Sequence, residues 1–128
     1  MEIVRQAFKS FNEEGYDAAE VFYDPAVVLD NSQSPFPDAG VYRGLESVRK
    51  WFEGLAEAFG DFSYEVEGVR DLGDQVAVSL RIRGRGPHSG IGVDYRFATL
   101  FTMRNGKIVR IDRFTDLAEA LEAAGLSE

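Results

Sequence analysis

The sequence contains no cysteine and a single histidine, His88, among its 128 residues. The lack of cysteine excludes disulfides, thiolate metal ligands and a thiol nucleophile. One histidine cannot by itself form a histidine-rich metal site, so a metal ion would have to be bound by carboxylates alone. We therefore predict a protein with no metal site and no cofactor.

The chain also lacks a long apolar run and an excess of positive charge. No stretch of about eighteen apolar residues is present, and Glu2 stands where a signal peptide carries positive charge, so we predict a cytoplasmic protein with no membrane partner. The 22 acidic residues outnumber the 14 basic ones, and the net charge of -8 opposes nucleic-acid binding over most of the surface. The length and the 45% hydrophobic content suit one domain, residues 1–128, with a buried core.

Hydrophobic periodicity predicts helices in the first half of the chain. Apolar residues recur at helical spacing over residues 3–11, and Gly15 supplies a residue able to end that helix. Asp17 is the predicted cap of a second, shorter helical segment, "AAEVFY" at residues 18–23, which Pro25 bounds. The stretch 45–59 has one apolar stripe flanked by charges, as expected of an amphipathic helix that buries one face.

Strand patterns dominate the second half. A brief strand is predicted over residues 26–30, and after Gly60 the apolar positions alternate every second residue in four segments, which predicts an antiparallel meander. In the last of these segments, alternation places Ile108 with the outward residues. Asp116 and Glu119 form a capping box for a final helix. Helices followed by strands predict an α+β fold.

Three arginines, Arg81, Arg83 and Arg85, occupy every second position of one predicted strand. They form either a basic surface for an anionic polymer or one face of a sheet. Their apolar neighbours Leu80 and Ile82 belong to the face that packs on the helices, so the arginines should point outward, where acidic residues of adjacent strands pair with them. The face lacks the interleaved aromatic rings on which single-stranded nucleic acids stack, so no nucleic-acid partner is predicted.

Two charged residues fall on the face that the alternation assigns to the interior, Asp30 and Arg113. A buried charge needs a partner, and the simplest partner for Asp30 is Arg113. One interpretation is a structural ion pair. The other is a catalytic pair in an apolar pocket, with Asp30 as acid or base and Arg113 orienting it or binding an anionic group.

Further side chains on or beside the inner face are predicted ligand contacts. Trp51 borders the apolar stripe of the third helix, where packing is the simpler explanation. The predicted ligand-binding residues are Tyr95, Thr99, Tyr64, Trp51 and Phe97.

The order of elements resembles the nuclear transport factor 2-like superfamily, specifically its SnoaL-like branch. The resemblance covers nearly the whole chain and is carried by "YRG" at residues 42–44 and by "GKIVRIDRFTD" at residues 106–116, followed by "EALEAAGL". It implies a cystatin-like α+β cone, in which a curved, mostly antiparallel sheet wraps around N-terminal helices and encloses a pocket. It also implies a homodimer joined through the outer sheet face.

Members of this superfamily include polyketide cyclases, ketosteroid isomerase, limonene epoxide hydrolase and binding proteins without chemistry. Asp30 matches the general base of ketosteroid isomerase, but Ala7 and Thr99 stand where that enzyme has its two oxyanion-stabilising groups. The catalytic pattern of the epoxide hydrolase is missing as well, because Leu80 and Ile82 stand where it has an arginine and an aspartate, and Arg113 where it has its second aspartate. The acid/base aspartate of the cyclases lies near the chain end, where Asp112 is placed outward by alternation unless a bulge reverses it.

Two functions remain open from the sequence. The first is a small pocket protein for a hydrophobic metabolite, with isomerase-like or cyclase-like proton transfer that needs no cofactor and uses Asp30 as base. The second is a dimeric ligand-binding or accessory domain without catalysis, in which Asp30 and Arg113 only close a buried pair.

Overall fold

The computed structural model of the chain describes residues 2–33, 39–59, 62–85 and 92–125. Within these ranges, helices pack on both faces of one six-stranded sheet. The elements in chain order are α1 (Glu2–Glu14), α2 (Tyr16–Glu20), β1 (Tyr23–Asp30), β2 (Val41–Arg43), α3 (Leu45–Phe59), β3 (Phe62–Asp71), β4 (Gln75–Arg85), β5 (Gly92–Arg104), β6 (Lys107–Phe114) and α4 (Leu117–Ala123).

The predicted helices α1, α3 and α4 are confirmed. Helix α1 ends where Gly15 takes a φ of 94°, a conformation that residues with a side chain rarely adopt. The capping box of α4 forms as expected, since the Asp116 carboxylate accepts from the Glu119 backbone N–H, and Glu119 accepts from the N–H of Thr115. The predicted cap of α2 is wrong: α2 begins at Tyr16, so Asp17 lies inside its first turn.

The strand order is β2-β1-β6-β5-β4-β3. Strands β3 to β6 form the predicted antiparallel meander, and β1 adds to it in parallel beside β6. Strand β1 is longer than expected because it starts at Tyr23, and the three-residue edge strand β2 was not predicted. The predicted α+β class, with a mostly antiparallel sheet against N-terminal helices, is confirmed.

The two faces of the sheet are packed differently. The inner face contacts α1 and α3 through the main core, which includes Leu80, Ile82 and Phe97. The outer face carries a second apolar cluster, in which Ala77, Ala98 and Leu100 pack against Ala120 and Leu121. Helix α4 therefore covers part of the face that the sequence assigned to charged residues.

The arginines of β4 point outward, as predicted, and each described one has an acidic partner. The Arg81 guanidinium makes two bonds of 2.6 and 2.7 Å to the Asp94 carboxylate, and Arg83 lies 3.4 Å from Glu65. On β5, Arg96 lies 3.0 Å from Glu67. The Arg85 side chain and His88 lie outside the described part of the chain. Paired arginines form a charge ladder on the surface rather than a basic patch.

A bulge in β6 changes which residues face the core. Thr102 of β5 lies opposite Arg110, but the next residue, Met103, lies opposite Ile108, so Val109 is the extra residue. Ile108 is consequently fully buried in the core together with Ile111, and the prediction that Ile108 faces outward is wrong. No described helix is both long and apolar enough to cross a membrane.

Candidate functional site

An apolar cavity lies between the helices and the inner face of the sheet. Its volume is about 40 Å³, enough for a few water molecules. Ala7, Phe8 and Phe11 of α1 line one side, and Trp51 and Phe52 of α3 line another. Phe11 lies three and four residues from Phe8 and Ala7, so the three fall on one side of α1, while Trp51 and Phe52 are neighbours on α3.

The sheet supplies the remaining wall. Phe97, Thr99 and Phe101 alternate along β5, and every second residue of a strand points to the same face. Ile111 and Arg113 follow the same rule on β6, downstream of the bulge. The cavity wall is thus aromatic and aliphatic, with few polar groups among the described residues.

Arg113 is the one charged residue among the described residues of this lining. It lies opposite Thr99 in the register of β5 and β6. Its guanidinium carbon is 3.9 Å from the centre of the Phe97 ring and 5.3 Å from that of the Trp51 ring. Both contacts have cation–π geometry. Among the described residues, no acidic side chain forms an ion pair with Arg113.

Asp30 does not reach the cavity, and its predicted pairing with Arg113 is wrong. Its neighbour Leu29 lines the cavity, so alternation turns Asp30 to the opposite face of the sheet. There its carboxylate accepts from the hydroxyl of Ser32 at 2.6 Å and from the Ser32 N–H at 3.0 Å. The guanidinium of Arg110 lies 3.3 Å away.

These contacts lower the pKa of Asp30. The Ser32 hydrogen bonds make the largest contribution, and the charge of Arg110 adds to them, because both stabilise the ionised carboxylate. A general base for a neutral-pH reaction needs the opposite shift, toward neutrality. The environment of Asp30 is that of an ion-paired surface group.

Asp112 also lies on the outer face. The Val109 bulge precedes it, and from Arg110 onward the alternation resumes. Arg110 contacts both oxygens of Asp112 at 3.0 Å, so one guanidinium joins the two carboxylates of Asp112 and Asp30. Neither aspartate is placed to react with a molecule in the cavity.

The predicted ligand contacts divide into two groups. Tyr64, Thr99, Trp51 and Phe97 all line the cavity. Tyr95 stacks on Phe97, with ring centres 5.4 Å apart, but is not among the described lining residues. Burial raises the pKa of Tyr64 to about 12, although the charge of Arg113 opposes this shift. Tyr64 is therefore neutral at pH 7. The ligand-binding roles of all five residues remain predictions.

Sequence reasoning missed Tyr23 as a cavity residue. Its burial raises the pKa of its phenol, so it too is neutral at pH 7. The periodicity placed it at the end of a helical segment because Pro25 follows closely, whereas it begins β1. The strand continues through Pro25, where the pairing of β1 with β6 is irregular.

A wider cleft of about 450 Å³ opens beside the cavity. Its lining includes Asn12, Tyr16 and Phe62, and it shares Phe11 and Phe52 with the inner cavity. The rings of Phe11 and Phe52 are 5.7 Å apart and border both spaces. In the described ranges, no three histidine, aspartate or glutamate residues are grouped closely enough to hold a metal ion.

Comparisons with known proteins identify the same architecture. The model of the SnoaL-like domain family matches residues 4–111. A nuclear transport factor 2-like protein from Burkholderia thailandensis is 26% identical, with 94% of this chain and 95% of that chain covered at a TM-score of 0.78. A candidate SnoaL-like polyketide cyclase from Jannaschia sp. is also 26% identical, covering 99% and 92% at a TM-score of 0.74. The comparison with curated proteins gave no match.

Proposed function

The chain belongs to the SnoaL-like domain family, and on that basis we propose that it binds a small, largely apolar molecule in the cavity between its helices and the inner sheet face. The observation that carries this proposal is the lining itself. Aromatic rings from α1, α3 and β5 surround a space with few polar groups, which is the usual composition of a small-molecule site.

Binding is favoured over proton transfer by an aspartate. The described lining contains no carboxylate and no imidazole, and Tyr64 is neutral at pH 7. Asp30, the expected base, is ion-paired on the other face of the sheet. The non-catalytic pocket protein is therefore the better supported of the two functions that the sequence left open.

The size of the cavity constrains how a ligand enters. A volume of about 40 Å³ is too small for an aromatic molecule unless side chains move. Phe11 and Phe52 are placed to do so, because rotation of their rings would join the cavity to the outer cleft. We propose this pair as the entrance.

The chain provides its own reporter for binding. Trp51 is the single tryptophan and lines the cavity. We expect naphthalene, a neutral apolar probe, to change its fluorescence saturably. Leucine at position 7 would fill the cavity, so Ala7→Leu should abolish this change, at a cost of about 1–3 kcal/mol of stability for overpacking. Ala118→Leu, at an exposed position of α4, is the matched control.

Circular dichroism establishes that Ala7→Leu is folded. If this folded variant binds naphthalene as tightly as the parent protein, the inner cavity is not the binding site. The same conclusion follows if the Trp51 signal never saturates in the parent protein.

We further propose that two copies associate through the outer sheet face that α4 leaves uncovered. The side chains of Arg83 and Arg96 are 54% and 63% exposed there, beside Glu65 and Glu67, so a two-fold axis could align opposite charges. Light scattering should give twice the chain mass of 14.2 kDa. A monomer mass at a protein concentration of about 100 µM would contradict this.

A further inference from the structure

We propose that the ligand of the inner cavity carries an anionic oxygen group, a carboxylate or an ionised enol or phenol, on a flat apolar body, and that Arg113 binds this group. The inference rests on the proposed binding function and specifies the class of ligand. Three features of the site support it: the state of Arg113, the donors beside it and the aromatic walls.

Arg113 differs from the arginines of the outer face. Arg81, Arg96 and Arg110 each contact a carboxylate at 2.6 to 3.3 Å. Arg113 instead contacts two aromatic rings, with no acidic partner among the described residues. A cation inside an apolar cavity has lost much of its hydration, and an anion from outside the chain would restore its missing counter-charge.

The aromatic contacts leave the hydrogen-bonding capacity of Arg113 available. The five N–H donors of a guanidinium lie in its own plane, and the contact with Phe97, 3.9 Å from the guanidinium carbon to the ring centre, is a cation–π contact rather than a hydrogen bond. The fork of donors fits the two oxygens of a carboxylate. Phe97 and Trp51 thus hold the guanidinium in place without occupying its donors.

Neutral donors lie beside the cation. Thr99 is opposite Arg113 in the strand register, and its side chain is almost fully buried. Tyr64 lines the same cavity and keeps its phenolic proton at pH 7. Both hydroxyls can donate to an anionic oxygen, and neither adds a negative charge that would repel it.

The apolar part of the ligand is inferred from the walls. The ring of Phe8 makes edge-to-face contacts with Tyr64 and Phe101, with ring centres 5.4 and 5.6 Å apart. Flat aromatic bodies make favourable contacts of this kind. The site therefore suits an aromatic monoanion better than an aliphatic or a doubly charged one.

A matched pair of probes tests the inference. 1-Naphthoate and 1-naphthylmethanol share one ring system and differ in charge at the substituent. We expect the parent protein to bind naphthoate roughly 10- to 100-fold more tightly, the range for a hydrogen bond to a charged group. Calorimetry at pH 7 and low salt measures both affinities, and Trp51 fluorescence provides a second readout.

Variants assign the preference to one residue. Arg113→Met should remove the preference for naphthoate and leave the alcohol bound within about threefold. Arg113→Lys should retain part of it, since the charge stays and the fork is lost. Arg110→Met, on the same strand but the outer face, should keep the full preference.

The outcomes separate the inference from the proposed function. If neither probe binds at millimolar concentration, both are overturned. If both probes bind equally well to the parent protein, or if Arg113→Met keeps the preference, the binding function stands and the assignment to Arg113 is wrong.

Discussion

Two arginines of β6, Arg110 and Arg113, lie three residues apart and face opposite sides of the sheet. Arg110 contacts two carboxylates, while Arg113 contacts aromatic rings. If Arg113 serves a ligand rather than the fold, replacing each arginine by methionine should change stability in different directions. The prediction concerns the free energy of unfolding of the ligand-free protein.

The magnitudes follow from the contacts. Arg113→Met loses cation–π attraction of about 0.5–2 kcal/mol, but it removes a partly desolvated charge whose burial costs several kcal/mol when complete. The methionine keeps the apolar contacts of the stem. We expect no loss, and a gain of up to about 2 kcal/mol. Arg110 is 43% exposed, so its two ion pairs together contribute about 1 kcal/mol, which Arg110→Met should lose.

Urea denaturation followed by circular dichroism at pH 7 gives both values, provided that the dependence on urea is the same for each variant. For a chain of this length, 1 kcal/mol corresponds to roughly 4 °C in melting temperature, so thermal scans provide a check. A loss of more than 1 kcal/mol in Arg113→Met, equal to or larger than that in Arg110→Met, would show that Arg113 is a structural residue.

Three further changes test other parts of the structure. The pKa of Asp30 is lower in the folded state, so its ionised form stabilises the fold above about pH 4, and this contribution disappears as the pH falls through the folded pKa. Asp30→Asn should therefore be less stable than the parent protein at pH 7. A difference in stability that persists unchanged at pH 3 would contradict this. Gly15 has φ 94° and ψ -174° with no atom within 4 Å of an added methyl group, so Gly15→Ala should cost about 1–3 kcal/mol from the backbone alone, whereas Gly54→Ala, in α3, should not destabilise. The Asn12 side-chain amide donates to the Tyr64 carbonyl at 2.7 Å and accepts from the Tyr64 N–H at 2.9 Å. Asn12→Ala should therefore lower the free energy of unfolding, measured by urea denaturation, by about 1–2 kcal/mol. A loss below about 0.5 kcal/mol, which is close to experimental error, would mean that water replaces both bonds.

The site shows where sequence reasoning succeeds and where it fails. Thr99 and Phe97 were placed correctly because Asp94, Arg96 and Thr102 mark the outward face of β5, and the alternate residues between them fall on the other face. Asp30 was misplaced because the preceding residues, "AVVL", are all apolar and carry no alternation from which a face could be inferred. Its partner is Arg110, which the pairing of β1 with β6 brings beside it.

Local patterns in the sequence determined the helices α1, α3 and α4 and the meander β3 to β6, because helical and strand periodicities depend only on near neighbours along the chain. The family resemblance followed from the same local features. Tertiary structure alone decided that β1 lies parallel to β6, that Tyr23 joins the cavity, and that α4 covers part of the outer face. These features depend on pairing between residues distant in sequence, where a shift of one position turns a side chain from the cavity to the solvent.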